Sequence, residues 1–228
     1  YLNLKGMSRR YGSRFLFETN VCAGLPVLST LSDLVRSGDQ IHQIEAVLSG
    51  TLVFLFNEYN GKTKFVDVIK KAKQLGYTEP DPRLDLFGSD VKRKIVILIR
   101  ESGYKCDYED IQLNSFLPES CLESNSVEDF YTKVEKEEAH FKNLYEAANK
   151  EGKRLKVVAK YKNGHGSVGL EAVDSAHPFY NLEGKDNIVL FYTNRYKEQP
   201  MVIKGAGAGA EVTASGIFAD VLRLAQTD

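Results

Sequence analysis

Hydrophobic residues recur along much of the chain at helical spacing, with polar residues on the opposite face. In residues 65–75 the apolar side chains fall at i, i+3, i+4, i+7 and i+10, which predicts an amphipathic helix ending at Gly76. Ser126 and Asp129 resemble a capping box and predict the start of one long, charged helix that runs to about Lys150. By the same spacing we expect further helices within residues 1–14, 27–37, 52–56, 89–101 and 212–225.

Other stretches are rich in β-branched and aromatic residues, or alternate between apolar and polar positions. Two of these runs flank Asn163-Gly164, the strongest short-range signal for a β-hairpin. The strands predicted in this way cover residues 15–21, 41–48, 155–161, 167–173, 188–193 and 201–204. Mixed helices and strands with late hairpins indicate an α/β (α+β) domain, built on one mixed β-sheet covered by helices.

Composition narrows the class of protein. The 228 residues include 30 Lys and Arg against 31 Asp and Glu, so a strongly basic nucleic-acid binder is excluded. No apolar run approaches the roughly 20 residues of a membrane span, and we expect no membrane partner. Cys22, Cys106 and Cys121 form no close pair, which favours a reducing, cytoplasmic location. The chain begins at Tyr1 rather than at methionine, so we expect it to be a piece of a longer protein.

The stretch 76–86 is an acidic loop stiffened by prolines. Glu79, Asp81 and Asp85 surround Arg83, and Pro80 and Pro82 restrict the backbone between them. Such a loop could hold an ammonium group or a metal ion, and it could equally be a rigid, solvated connector.

Asp90 and Lys94 lie one helical turn apart, so the carboxylate can hold the ammonium group. Such a lysine can transfer protons, although the spacing by itself favours an ordinary surface ion pair. Further along, the glycines of residues 205–209 precede a helix and would let backbone amides approach a phosphate. This run is a weak dinucleotide fingerprint.

Five motifs occur in an order and spacing that resemble the homoserine dehydrogenase family, in particular the C-terminal catalytic region of its bifunctional aspartokinase-linked members. They are ETNVCAGLP at 18–26, LSGT at 48–51, GYTEPDPR at 76–83, DVKRK at 90–94 and GAGAG at 205–209. The resemblance implies a substrate-binding and dimerisation domain over residues 1–204. It also implies that residues 205–228 pack on a nucleotide-binding Rossmann domain, which this sequence does not contain.

The resemblance further implies NAD(P)H-dependent interconversion of L-aspartate 4-semialdehyde and L-homoserine, on the route to threonine and methionine. Lys94 matches the proton-transferring lysine, and Asp90 matches the acid that orients it and the substrate. Glu79 matches a carboxylate that binds the substrate, with Asp85 as a helper. Gly50, Thr51 and Tyr77 match residues that line the substrate site.

By the same resemblance the cofactor is NADP or NAD, contacted in this chain by Gly207 and Gly209. A monovalent cation such as sodium is expected at Glu18, Val21, Ala23 and Leu25, held largely through backbone carbonyls. The implied assembly is a homodimer or a higher homo-oligomer, with a small amino-acid substrate and no nucleic acid.

The sequence departs from the family pattern at two positions. Cys22 stands where the family usually has glycine, and Leu84 stands where it has a second aspartate. We expect the chain alone to bind NAD(P) poorly and to turn over little. Two alternatives stay open: a non-catalytic dimerisation or regulatory module of an aspartokinase-linked protein, and a relative that acts on another amino-acid aldehyde.

Overall fold

The computed structural model describes residues 2–226; Tyr1 and residues 227–228, which the expected domains include, lie outside this range. Its α-helices are α1 (Leu2–Tyr11), α2 (Val27–Arg36), α3 (Gly50–Glu58), α4 (Phe65–Gln74), α5 (Arg83–Leu86), α6 (Ser89–Glu101), α7 (Glu119–Leu122), α8 (Val127–Lys136), α9 (Glu138–Lys150) and α10 (Ala210–Ala225). Its strands are β1 (Ile41–Val47), β2 (Ile111–Asn114), β3 (Arg154–Lys162), β4 (His165–Val173), β5 (Asp186–Thr193) and β6 (Met201–Ala206).

The six strands form one mixed sheet in the order β2-β4-β3-β1-β5-β6. Only β2 pairs in parallel, with β4, and the other described neighbours are antiparallel. β1 lies between β3 and β5, so both of its edges are hydrogen-bonded and its carboxyl end is fixed inside the sheet. The predicted α+β class is confirmed.

The helices cover one face of the sheet and bury the main hydrophobic core against it. Ile44 and Ala46 of β1 point into this core, while Val47 belongs to a smaller cluster on the opposite face. Residues 174–185 cross that opposite face, and Phe179 and Leu182 are fully buried beneath this crossing segment. The crossing segment leads directly into β5.

Most predicted elements are confirmed, but the strand expected at 15–21 is wrong. Residues 12–17 have no regular structure, and Glu18–Asn20 forms a 3-10 helix. The backbone amide of Glu18 donates to Asp220 of α10 instead of to a neighbouring strand. A run of strand-forming residues therefore makes a turn because its polar groups find partners in helices.

The long helix expected from Ser126 to Lys150 is two helices. Ser126 caps α8 by accepting a hydrogen bond from the amide of Asp129, as predicted. The helix breaks at Glu137, and Glu138 at the start of α9 accepts hydrogen bonds from the amide of Phe65 and the hydroxyl of Tyr59. Contacts with α3 and α4 therefore fix the start of α9. Three short elements have no counterpart in the sequence prediction: β2, α7 and α5, which lies in the stretch expected to be a loop.

Candidate functional site

Lys94 and Asp90 form an ion pair on α6 at the carboxyl end of β1. The ammonium Nζ of Lys94 lies 2.8 Å from Oδ2 of Asp90 and donates to the backbone carbonyl of Leu48 at 3.0 Å. The Lys94 side chain is 19% exposed and that of Asp90 55% exposed. The two acceptors hold the ammonium group in one position, and its partial exposure leaves it open to a ligand.

The proline-stiffened loop is tied to the start of α3 through Asp85. One carboxylate oxygen of Asp85 accepts from the amide of Glu79 at 2.8 Å, and the other from the hydroxyl of Thr51 at 3.2 Å. The single proton of the Thr51 hydroxyl is shared between this oxygen and the carbonyl of Tyr77. Burial raises the pKa of the Asp85 carboxyl, and the two hydrogen bonds oppose that rise. Asp85 therefore positions its neighbours, whereas the side chain of Glu79 stays exposed.

Gly50 begins α3 at a close contact with the end of the crossing segment. A Cβ atom on Gly50 would lie 2.8 Å from the carbonyl oxygen of Lys185. The next strand therefore approaches α3 only because residue 50 has no side chain. The ammonium of Lys185 lies 5.3 Å from the ring centroid of Tyr77. Leu84 lies on α5, within the proline-stiffened loop, and its side chain is exposed.

The turn at residues 18–26 is stabilised by the buried side chain of Glu18. Its two carboxylate oxygens accept from the amides of Leu28 and Ser29, at 2.6 and 2.9 Å. These amides belong to the first turn of α2, so the carboxylate caps that helix and complements its dipole. The side chain of Glu18 is thus occupied as a helix cap.

Two consecutive residues of this turn adopt the left-handed conformation, Cys22 with φ 62° and Ala23 with φ 50°. The backbone at position 22 therefore tolerates a side chain where the resemblance led us to expect glycine. Among residues 2–226, nothing donates a hydrogen bond to the carbonyl oxygens of Val21 and Ala23. Free carbonyl oxygens are suitable ligands for a hard cation. No group of three or more His, Cys, Asp or Glu side chains able to hold a metal ion occurs in the same range.

The glycine-rich run lies directly beside this turn. A Cβ atom on Gly207 would lie 2.1 Å from the Asn187 carboxamide, and one on Gly205 would lie 3.0 Å from the Leu25 side chain. β6 continues to Ala206, so the expected domain boundary at 204/205 lies inside a strand. In α10, a Cβ atom on Gly216 would lie 2.9 Å from the backbone of Gly24.

Asn187 joins these segments, although it lies in none of the sequence motifs. Its Nδ2 donates to the Cys22 sulfur at 3.5 Å, and its buried Oδ1 has no partner among the described atoms. Burial raises the pKa of the Cys22 thiol to about 11, partly offset by the Asn187 bond and the charge of Lys94.

The candidate residues therefore form one connected region. Residues 48–51 link Lys94 to Asp85, and Cys22 links the turn to β5. Gly209 caps α10 at the far end of the glycine-rich run. Asn187 and Lys185 carry no local sequence signal, since neither belongs to a motif.

Comparison with known proteins identifies a family and several relatives with similar sequences. A family model described as homoserine dehydrogenase matches residues 26–222. A bifunctional aspartokinase/homoserine dehydrogenase 2 of Zea mays is 44% identical over 99% of this chain and 25% of its own length. The homoserine dehydrogenase of Schizosaccharomyces pombe is 42% identical over 98% of this chain and 62% of its own length. The chain thus spans one quarter to about three fifths of these relatives.

Solved structures agree with the sequence relatives. A Candida auris protein of unknown function superposes with a TM-score of 0.86 at 39% identity, covering 92% of this chain and 60% of that one. A hyperthermophilic archaeal homoserine dehydrogenase in complex with NADPH gives a TM-score of 0.73 at 25% identity, covering 98% and 59%. No described helix is long and apolar enough to cross a membrane. The chain belongs to the homoserine dehydrogenase family.

Proposed function

We propose that this chain is the substrate-binding and dimerisation part of an enzyme that interconverts L-aspartate 4-semialdehyde and L-homoserine, in threonine and methionine biosynthesis. The observation that carries the proposal is the Lys94 ammonium, held at 2.8 Å from Asp90 and 3.0 Å from the Leu48 carbonyl. It lies beside a loop whose carboxylates suit an amino-acid substrate. A fixed, partly exposed proton donor next to an acidic loop fits carbonyl reduction.

In the reducing direction Lys94 gives a proton to the oxygen that becomes an alkoxide, and in oxidation it takes that proton back. Asp90 and the Leu48 carbonyl keep the ammonium oriented in both directions. A bound NAD(P)H would supply the hydride to the aldehyde carbon. Gly207 and Gly209 are the residues of this chain that would contact it, since glycine lets a ligand approach the backbone closely.

Binding of the substrate depends on charge and on close approach. The exposed carboxylate of Glu79 is available for the substrate ammonium, and Asp85 fixes the Glu79 backbone. Gly50, Thr51 and Tyr77 form the adjoining wall. Three carboxylates in this region suit an amino acid better than a neutral aldehyde.

The turn at residues 18–26 is the proposed site of a monovalent cation such as sodium. The unpartnered carbonyls of Val21 and Ala23 support this proposal, with the carbonyls of Glu18 and Leu25 as further ligands. The carboxylate of Glu18 acts indirectly, by capping α2 and holding the turn.

Two exposed apolar surfaces, one on the sheet and one on α10, support the partners that we propose. Tyr192 and Val202 remain partly exposed on the sheet face opposite the helices, beyond the cover of the crossing segment, which fits a homodimer or higher homo-oligomer. Ile217, Phe218 and Val221 of α10 are 52%, 61% and 52% exposed. This apolar stripe suits a nucleotide-binding domain. The unpaired thiols support a cytoplasmic location.

The test uses the full-length protein that contains this chain, assayed for NADPH oxidation with L-aspartate 4-semialdehyde. We expect Lys94→Ala to lower kcat by about 100-fold or more, since general acid–base groups contribute about 10²–10⁴-fold. Lys92→Ala, on the same helix but stacked on Tyr108, is the matched control and should keep wild-type turnover. The chain alone should oxidise little NADPH.

Turnover that survives in the Lys94 variant would assign the proton transfer to another group. No turnover by a folded, full-length wild type would favour the alternative, a non-catalytic dimerisation or regulatory module.

A further inference from the structure

The candidate substrate site has more acids than free cations. Glu79, Asp85 and Asp90 contribute carboxylates, while the ammonium of Lys94 is paired with Asp90. An amino-acid substrate carries a carboxylate as well as an ammonium group. Neither Lys94 nor Arg83 offers this carboxylate an unpaired cationic side chain, because both already form ion pairs with aspartates, and the nearby carboxylates would repel it.

Lys185 lies beside this site although it belongs to none of the five motifs. Its carbonyl oxygen and Cβ would lie 2.8 and 2.9 Å from a Cβ on Gly50, so its backbone touches the start of α3. Its Nζ lies 5.3 Å from the ring centroid of Tyr77. Lys185 therefore adjoins two of the residues that we propose to line the substrate site.

The ammonium of Lys185 is available for a ligand. No carboxylate of the described residues lies within 4.0 Å of its Nζ, and its side chain is exposed. The negative face of the Tyr77 ring attracts the ammonium toward the site. A cation that lies near the candidate substrate site and has no carboxylate partner can move a short distance to meet an incoming carboxylate.

The backbone that carries Lys185 is fixed on both sides. Before it, the carbonyl of Leu182 accepts from the buried ammonium of Lys156 at 3.1 Å and from Nδ2 of Asn57 at 2.9 Å. After it, the side chain of Asn187 is 1% exposed and packs against Gly207. The position of residue 185 relative to Gly50 is therefore set by the fold.

We propose that Lys185 binds the α-carboxylate of the substrate, and thereby selects amino acids over amino alcohols and amino aldehydes that lack this group. The inference rests on the proposed function and adds a specificity-determining residue to it. In this proposal Lys94 transfers the proton at one end of the substrate, Glu79 binds its ammonium group, and Lys185 binds its carboxylate.

The experiment compares two substrates of the oxidation reaction in the full-length protein. L-homoserine carries the carboxylate, and 3-aminopropan-1-ol is the same amino alcohol without it. We expect Lys185→Met to lower kcat/KM for L-homoserine about tenfold or more, mainly through KM, since a charged hydrogen-bonding partner is lost. Values for 3-aminopropan-1-ol should change less than twofold.

Two further variants separate charge from structure. Lys185→Arg keeps the positive charge and should restore most of the discrimination between the two substrates. Lys204→Met removes a neighbouring exposed lysine that contacts the Asn181 carbonyl, and should leave both substrates unaffected. If the amino alcohol turns over too slowly, its inhibition constant against L-homoserine gives the same comparison.

Equal KM values for L-homoserine in the wild type and Lys185→Met would overturn the inference while leaving the proposed function intact. So would an equal loss with both substrates, since that result marks a structural role. If the folded wild type does not oxidise L-homoserine at all, the proposed function fails first and the inference fails with it.

Discussion

Lys156 on β3 is a buried cation with no carboxylate within 4.0 Å among residues 2–226, and replacing it should change how stability depends on pH. Its side chain is 1% exposed, and its ammonium bonds only neutral acceptors, Oδ1 of Asn57 and the carbonyl of Leu182. Burial lowers the pKa of Lys156 from 10.5 to about 8; the positive charges of Arg154 and Lys204 add to this effect, and the negative charge of Glu183 opposes it.

The size of the change in the free energy of unfolding follows from the difference between the pKa of Lys156 in the folded and in the unfolded state. Below pH 8 the lysine is protonated in both states, so the folded protein carries the whole cost of burying the charge. Between pH 8 and 10.5 the unfolded chain binds more protons, so the free energy of unfolding rises with pH. Each pKa unit corresponds to about 1.4 kcal/mol, so the full rise is about 3 kcal/mol.

The assay is urea unfolding of the 228-residue chain, followed by circular dichroism at several values between pH 7 and 10.5. The free energy of unfolding of the wild type minus that of Lys156→Met should rise by about 3 kcal/mol over this range. At pH 7 the two proteins should differ little, because the variant loses the charge penalty but leaves Oδ1 of Asn57 unpaired, at about 1–3 kcal/mol. Lys160→Met, on the same face and paired with Glu171, is the control. A pH-independent difference would refute the assignment of a buried, charged lysine.

Two further predictions concern the candidate site. Gly216→Ala should displace α10 from the turn at Gly24 and speed amide hydrogen exchange in residues 210–225, because the added Cβ lies 2.9 Å from that backbone. The control is Gly6→Ala in helix α1, where an added Cβ would meet no atom within 4 Å, and it should leave the exchange of residues 210–225 unchanged. If these amides exchange slowly in both variants, α10 does not need the close contact at Gly216. The raised pKa of Asp85 predicts that kcat/KM of the full-length protein falls, as pH is lowered, at a pH above the ordinary aspartate range. Asp85→Asn should remove this acid limb from a pH profile of L-homoserine oxidation, and a profile with an unchanged limb would assign it to another group.

The sequence predicts those elements that are determined by contacts between residues close together in the chain. The helical spacing of 65–75 is satisfied by α4, and Asn163-Gly164 turns the β3–β4 hairpin as expected. β2 has four residues and pairs with β4 across more than fifty intervening positions, so no local pattern marks it. The residues at 15–21 have strand propensity, but hydrogen bonds to α2 and α10 determine their conformation.

In the candidate site, too, the sequence predicts the local contacts but not those between distant parts of the chain. The spacing of Asp90 and Lys94 predicts their ion pair, which forms. The acceptor that completes the lysine's environment is the carbonyl of Leu48, the residue that follows β1, 46 residues earlier in the chain. Asn187 and Lys185 reach the site only because β5 lies beside β1, and pairing between distant strands is not visible in a single sequence.

The central position of β1 has a consequence for how the protein folds. Both neighbours of β1 lie more than about 100 positions further along the chain, so their pairing must wait for large loops to close. On a ribosome, β1 emerges long before either partner and stays unpaired while the β3–β4 hairpin is made. Since Leu48 follows β1 directly, the carbonyl that holds Lys94 reaches its place only when the sheet is complete. The geometry of the candidate site is thus a late product of folding, and an incompletely folded chain would lack it even with every helix formed.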